Sequence, residues 1–130
     1  DLAGTWTLTA NGMYENGDCS TGTPPTNAAY STSIVLSDNC SFTMNSSISP
    51  CNDADNNTQH CSGNWSSTAT TVKVIPASMV QYGSSVETLY TYVLNENKTI
   101  MSQSLPADIT NDGVENYDSC QYAEYTKEAQ

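Results

Sequence analysis

Apolar and polar residues alternate with a period of two along most of the chain, and no segment keeps a helical period for three turns. This alternation is typical of strands that bury one face and expose the other. Segments rich in Gly, Pro, Asn and Asp separate the alternating runs and predict turns and loops. The predicted strands cover residues 5–10, 30–36, 40–48, 61–66, 70–75, 86–94, 99–105 and 119–126.

Eight successive strands favour an all-β, eight-stranded antiparallel up-and-down barrel, because closing the ring removes exposed sheet edges. A two-sheet β-sandwich is the alternative. The length of 130 residues predicts a single domain, residues 1–130. The residues expected to face inward together are Trp6, Leu8, Leu36, Phe42, Trp65, Val72, Val74, Tyr92 and Leu94.

Two strands define the expected faces most clearly. In the first strand, Trp6, Leu8 and Ala10 occupy alternate positions and are expected to share the inward face. In the third strand, Cys40 stands two positions before Phe42 and is expected to face inward with it.

The cysteines indicate an oxidising compartment. They show no C-x-x-C spacing, so zinc or a redox-active motif is not indicated, and disulfides are the natural interpretation. A Cys51–Cys61 bridge is favoured because it would close a polar loop. Cys120 is then expected to reach an earlier strand, and Cys19 to tether the loop 11–28. An odd count leaves one cysteine free, modified or bonded to another chain. The candidates are Cys19, Cys40, Cys51, Cys61 and Cys120.

N-glycosylation sequons support the prediction of a secreted, extracellular glycoprotein. The chain also begins at Asp1 without Met, as a processed secretory protein would. Asn45, Asn64 and Asn97 fall on polar strand faces or in a turn, so their side chains are expected to be exposed. The five candidate sites are Asn39, Asn45, Asn56, Asn64 and Asn97.

The charge balance excludes several kinds of partner. The net charge is -11, with three Lys and no Arg. Nucleic-acid binding needs Lys and Arg on the phosphates, and anionic membrane surfaces need the same residues. No run approaches eighteen apolar residues, so no transmembrane helix is predicted.

The segment Gly4-Thr5-Trp6 resembles the G-x-W opening of the first strand in lipocalins and related calycins. There the Trp plugs one end of an eight-stranded barrel. A second copy, Gly63-Asn64-Trp65, lies mid-chain, and avidin-like barrels also carry such elements. The resemblance covers this motif and the strand count, and it implies a calycin-like barrel. Lipocalins place a late Arg over the Trp, and this chain has none.

Aromatic residues on the predicted inward faces are candidates for ligand binding. Phe42, Trp65, Tyr90 and Tyr92 offer flat apolar surfaces, and the Tyr hydroxyls offer a few polar contacts. With no Lys or Arg inside, a neutral apolar or aromatic guest is favoured over a carboxylate. The alternative for these residues is ordinary cross-strand packing.

No catalytic or metal-binding pattern is present in the sequence, and neither an enzyme nor a cofactor is predicted. His60 is the only histidine, and no G-x-S-x-G motif accompanies it. The acidic loop that begins at Asp53 lacks the Gly and Glu of a calcium-binding loop. The sequence predicts an extracellular barrel that binds a small hydrophobic or aromatic ligand. The alternative is a structural or interaction glycoprotein, such as a coat, matrix or secreted effector protein.

Overall fold

The protein is known from a computed structural model that describes residues 2–29, 31–46, 62–76, 90–107 and 119–129. Within these ranges the regular secondary structure consists of β-strands, and no helix occurs. The strands are β1 (Gly4–Met13), β2 (Thr32–Leu36), β3 (Ser41–Ser46), β4 (Ser62–Ser67), β5 (Thr71–Pro76), β6 (Thr91–Leu94), β7 (Ile100–Ala107) and β8 (Ser119–Lys127).

The strands form one closed antiparallel barrel in sequence order, and β8 pairs with β1 to complete the ring. The predicted all-β up-and-down barrel is therefore confirmed, and the sandwich alternative is wrong. All eight predicted strands overlap an observed one. The first part of the predicted sixth strand, residues 86–89, lies outside the described residues. None of the described residues belongs to a helix long and apolar enough to cross a membrane.

Buried side chains alternate with more exposed ones along the strands, and the buried ones form one core inside the barrel. In β2, for example, Thr32, Ile34 and Leu36 are buried while Ser33 and Val35 are not. Of the nine residues predicted to face inward together, eight belong to this core, and the ninth, Trp65, is partly buried and packs against it. The core consists of Leu2, Trp6, Leu8, Ile34, Leu36, Phe42, Val72, Val74, Tyr92, Leu94, Met101 and Tyr125.

The two ends of the barrel differ in how their strands are connected. At one end, called here the turn end, the short connections 37–40, 68–70 and 95–99 join successive strands. The opposite end is called here the mouth. The strand ends at the mouth lead into the longer connections 14–31, 47–61, 77–90 and 108–118.

Both tryptophans of the G-x-W elements lie at the turn end. Trp6 is fully buried, and its indole N–H donates to the carbonyl of Leu2 at 3.0 Å. The indole N–H of Trp65 donates to the carbonyl of Ser37, in the first short connection, at 2.9 Å. Because a buried indole N–H costs free energy when it lacks a partner, these backbone carbonyls let both rings pack against the core.

The strand β1 is longer than predicted and carries a β-bulge between Leu8 and Ala10. Beyond the bulge, Ala10 lies opposite Glu124, and Asn11 lies opposite Ala123. Ala10 is buried, but it is not part of the core cluster that contains Leu8. The burial of Ala10 agrees with the prediction that it continues the inward face of Trp6 and Leu8. The extra residue of the bulge brings Asn11, one position further on, opposite Ala123.

Cys40 does not face inward with Phe42, as its spacing suggested. It is exposed, precedes β3, and has a φ of 68°. The strand therefore starts at Ser41, one residue later than predicted. The short connection 37–40 needs a left-handed residue at its end, and this requirement takes Cys40 out of the alternating pattern.

One disulfide joins Cys19 to Cys120, across a sequence separation of 101 residues. The tethering role predicted for Cys19 is thus confirmed. The partner expected for Cys120 was an earlier strand, and this is corrected, since Cys19 lies in the connection that follows β1. Cys40 carries a free thiol. The favoured Cys51–Cys61 bridge lies outside the described residues.

Three of the candidate glycosylation sites have exposed side chains, namely Asn39, Asn64 and Asn97. The predicted exposure of Asn64 and Asn97 is confirmed. Asn45 lies in β3, but its side chain is outside the described part of the structure, and so is the whole of Asn56.

Candidate functional site

A cleft of about 230 Å³ lies at the mouth, between the mouth-side segments of β1, β7 and β8. None of the described residues that line it is charged. The cleft is lined by Asn11, Tyr90, Gln103, Leu105, Gln121, Tyr122 and Ala123.

Strand pairing explains how three of these residues come together. Asn11 of β1 and Gln103 of β7 both lie opposite Ala123 of β8. Directly opposite residues of antiparallel strands point to the same face, so the three side chains form one row across three strands. In this row, called here the amide row, the small Ala123 separates two amide side chains and leaves a depression between them.

The amide row stands directly on the apolar core. One step toward the turn end, Leu8 and Met101 lie opposite Tyr125, and all three are buried. The ring of Tyr125 meets that of Tyr92 edge to face, with centroids 5.7 Å apart. The cleft therefore ends on a packed floor, and it is a depression in the mouth rather than a channel through the barrel.

A further row forms the rim of the cleft. Met13 of β1 and Leu105 of β7 lie opposite Gln121 of β8. Met13 and Gln121 are exposed, and Leu105 is half-buried. From the core outward, the face thus changes from apolar to amide-rich, and then to a rim that mixes apolar and polar side chains.

Hydrogen bonds fix the orientation of the two amides of the amide row. The Oδ1 atom of Asn11 accepts a hydrogen bond from the backbone N–H of Ala29 at 2.7 Å. The Nε2 group of Gln103 donates to the carbonyl of Thr91 at 3.3 Å. Because its oxygen is engaged, Asn11 is left with its Nδ2 hydrogens to offer, and these have no acceptor among the described residues.

Tyr90 closes the side of the cleft next to β6. Its carbonyl accepts a hydrogen bond from the N–H of Val74 at 3.0 Å, which anchors it to β5. Burial raises the pKa of the Tyr90 hydroxyl, because the phenolate would lose its hydration. The group therefore remains a neutral hydroxyl, able to donate and accept, throughout the physiological pH range.

Tyr122 connects the cleft to a polar seam on the outer surface. Burial, together with the neighbouring Glu124 carboxylate, raises its pKa to about 12. Its hydroxyl donates to Oε1 of Glu124 at 2.7 Å, and the hydroxyl of Thr9 donates to Oε2 at 3.0 Å. The bond from Thr9 ties β8 to β1 at the bulge, since Thr9 lies between Leu8 and Ala10.

The four residues predicted to bind ligand all meet in the core cluster. Phe42 and Tyr92 are buried members, and Trp65 and Tyr90 pack against it from partly buried positions. Of these four, Tyr90 lines the cleft. The other three fill the barrel between the cleft and the turn end.

Sequence reasoning missed the amide row and the rim. Gln103, Leu105, Gln121 and Ala123 follow the period of two in β7 and β8, so their common face was readable from the sequence. Asn11 was not readable in this way, because only the bulge turns it inward. The signal that was overlooked is a set of long amides at positions that the alternation assigns to the inside.

A second depression, of about 260 Å³, lies beside the disulfide and is lined by Asp18, Cys19, Ser20, Pro106 and Ser119. Its one charged group is already engaged. Oδ1 of Asp18 accepts hydrogen bonds from the backbone N–H and the hydroxyl of both Ser20 and Thr21, all at 2.9 Å. These bonds lower the pKa of Asp18 to about 2. The carboxylate thus builds a local turn.

None of the three lysines lines the cleft. Lys98 belongs to the short connection 95–99, Lys127 lies opposite Trp6, and Lys73 lies on β5 opposite Ser66. These are all the lysines of the chain, which has no arginine. Within the described residues, no three His, Cys, Asp or Glu side chains come close enough together to hold a metal ion.

Comparisons of the chain with protein-family models, with curated proteins and with solved structures find no match.

Proposed function

We propose that this protein is an extracellular, calycin-like barrel that binds a small neutral ligand of apolar or aromatic character at its mouth. One observation carries the proposal: an uncharged cleft, lined by amides, a half-buried Tyr and apolar side chains, lies on top of an otherwise filled core. Small-molecule sites combine apolar surface with a few placed polar groups in this way.

The size of the cleft favours a compact guest. Its volume of about 230 Å³ lies below the roughly 300–1,000 Å³ of pockets that hold drug-sized ligands. The packed row beneath it, which contains Tyr125, stops a longer molecule from entering the barrel. A guest with a long alkyl tail is therefore a poor fit.

The extracellular setting is supported by independent features. The Cys19–Cys120 disulfide is typical of oxidising compartments. Asn39, Asn64 and Asn97 are exposed sequon residues, as glycan attachment requires. The calycin-like assignment is supported by the closed eight-stranded ring and by the buried Trp6 of the first G-x-W element.

A second candidate is a structural or interaction glycoprotein without a small ligand. The filled core and the exposed free thiol of Cys40 favour it, since such a thiol could link two chains. Under this alternative, the mouth cleft is a surface feature that holds water.

Titration of isotopically labelled protein with a panel of small neutral aromatic and apolar compounds tests the proposal. We expect amide NMR shifts to be concentrated at Gln103, Gln121 and Ala123. The variant Ala123→Leu fills the depression and should abolish these shifts, whereas Val93→Leu, at an exposed site on β6, should not. If no compound of the panel shifts the cleft residues, the structural alternative is favoured.

A further inference from the structure

We propose that the guest is a neutral molecule that presents a hydrogen-bond acceptor, such as a carbonyl or a ring nitrogen, on a small flat apolar frame. This inference rests on the proposed function and specifies the ligand class of the same cleft. It follows from the orientation of the Asn11 amide, from the apolar surfaces around it, and from the absence of charge in the lining.

The Asn11 side chain of the amide row is oriented so that it offers hydrogen-bond donors to the cleft. The N–H of Ala29 occupies the oxygen of Asn11, and the backbone N–H of Asn11 donates to the carbonyl of Asn27 at 3.2 Å. Asn11 is thus held by the connection 14–31, and its Nδ2 hydrogens are the part that remains for a guest. A side chain fixed in this manner selects acceptors, because turning the amide over would break the Ala29 hydrogen bond.

An apolar surface lies next to that donor. Ala123 forms the floor beside Asn11, and Leu105 forms the wall on the β7 side. Tyr90 adds an aromatic ring at the β6 side. A flat ring that carries one acceptor would cover Ala123 and Leu105 while the acceptor meets Nδ2 of Asn11.

The lack of charge among the described lining residues disfavours charged guests. None of these described residues is charged, so a carboxylate or an ammonium group there would lose hydration without meeting an opposite charge. Lys98 and Lys127 lie at the other end of the barrel, and the Glu124 carboxylate is engaged by Tyr122 and Thr9. Ionic guests of the same shape are therefore expected to bind much more weakly.

Four small compounds of nearly equal size distinguish the contributions of the acceptor, the charge and the apolar ring. They are benzamide, benzoate, benzylammonium and toluene. Their dissociation constants are measured by NMR titration of the full chain at neutral pH. Affinities for molecules this small are expected to be roughly millimolar. We expect benzamide to bind at least about tenfold more tightly than benzoate, benzylammonium and toluene, because it alone supplies a neutral acceptor on the ring.

The outcomes distinguish this inference from the proposed function. If toluene or either ion binds as tightly as benzamide, the acceptor inference is overturned while the ligand-binding cleft remains supported. If none of the four compounds shifts the cleft residues, the acceptor inference is likewise overturned, and the wider panel of neutral compounds then decides the proposed function.

The variant Asn11→Asp tests the donor directly. It keeps an oxygen for the N–H of Ala29, removes the Nδ2 hydrogens and adds one negative charge. We expect benzamide to bind about tenfold more weakly and benzylammonium to bind more tightly than in the unchanged protein. The matched control Asn64→Asp makes the same chemical change at an exposed site on β4 and should leave both affinities unchanged.

A second variant keeps the test decisive if Asn11→Asp fails to fold. Gln121→Met retains the length of an exposed rim side chain but removes its amide. We expect a smaller, roughly two- to threefold, weakening of benzamide binding and no change for toluene. Unchanged benzamide binding in the variants that fold would overturn the assignment of the acceptor to the amide-lined cleft.

Discussion

The turn end and the mouth are built from the same eight strands, yet they treat polar groups differently. At the turn end, each short connection is closed by a side-chain oxygen that accepts backbone N–H groups, and Asn39, Thr68 and Asn95 have this role. At the mouth, Asn11 and Gln103 place amides above the core, next to a cleft. The amides of Asn11 and Gln103 thus line a cleft in addition to making hydrogen bonds with the backbone, whereas the three side chains at the turn end close their own turns.

The difference shows how one barrel can separate stability from binding. The fully buried Trp6 seals the turn end, so water has no access to the core from that side. The row of Tyr125 forms the corresponding floor beneath the mouth. Above that floor, side chains can change without opening a cavity in the core, because they face the cleft.

The largest expected effect distinguishes the two ends by stability. Trp6→Ala should lower the free energy of unfolding by about 3–5 kcal/mol, because it opens a cavity in the sealed end and leaves the Leu2 carbonyl without its donor. Gln121→Ala at the rim should change it by less than about 0.5 kcal/mol. Chemical denaturation measures both values. Equal losses in the two variants would contradict the division between the ends.

The second-largest expected effect concerns the Cys19–Cys120 disulfide on the mouth side. Replacing Cys19 and Cys120 together with Ala should cost about 2–4 kcal/mol, because the bridge restricts a long loop of the unfolded chain. We also expect faster hydrogen exchange at Ala29 and Asn11, which the tethered connection holds together, and unchanged exchange at Trp65. Exchange that rises equally at both ends would show that the disulfide does not act locally. The single variant Cys40→Ala, at the turn end, is the control and should be nearly neutral.

A third, smaller effect is expected at alkaline pH. The pKa of Tyr122 is raised from 10.0 to about 12, so the folded state favours the protonated phenol. Its stabilising contribution is complete below pH 10 and is lost as the pH rises from about 10 to about 12. The tyrosinate absorbance of Tyr122, obtained as the difference between the unchanged protein and Tyr122→Phe, should therefore develop near pH 12. A midpoint near 10 would contradict its hydrogen bond to Glu124.

The smallest expected effect lies at acidic pH. The pKa of Asp18 is lowered from 3.8 to about 2 by hydrogen bonds from Ser20 and Thr21. Its stabilising contribution is present above about pH 4 and is lost as the pH falls from 4 to 2. The difference in melting temperature between the protein and Asp18→Ala should shrink over that interval. A difference that stays constant would show that the carboxylate charge does not hold this turn.

These two titrations sharpen the comparison between the ends. Asp18, Tyr90 and Tyr122 have clearly shifted pKa values, and these three residues lie on the mouth side of the barrel. Extremes of pH should therefore loosen the mouth before the turn end.

The alternation of the sequence was sufficient to predict the strands and the closed ring. Ile34 and Val72, for example, sit among β-branched and hydroxyl residues whose period of two fixes their inward face. The alternation predicts the facing of a side chain correctly wherever the strand is regular. It failed at Cys40, where a left-handed turn residue interrupts the alternation.

The site was less predictable than the fold. Large aromatics such as Phe42 and Tyr92 are equally suited to a cavity wall and to a filled core, and the sequence contains no measure of how much space remains between them. The cleft depends on small differences in side-chain volume, such as Ala123 between Asn11 and Gln103. It also depends on which atom of Asn11 the distant Ala29 engages, and this is a tertiary contact.

The closure of the ring has a consequence for the order of folding. The first strand needs the last one, since Trp6 lies opposite Lys127 and Cys19 bonds with Cys120. During synthesis, β2 can pair with β3, and β4 with β5, soon after these strands emerge. One edge of β1 stays unpaired until β8 emerges. Contacts this distant in sequence slow the search for the native pairing. The β1 edge is thus the part of the nascent chain most exposed to pairing with another molecule, and completion of β8 ends that exposure.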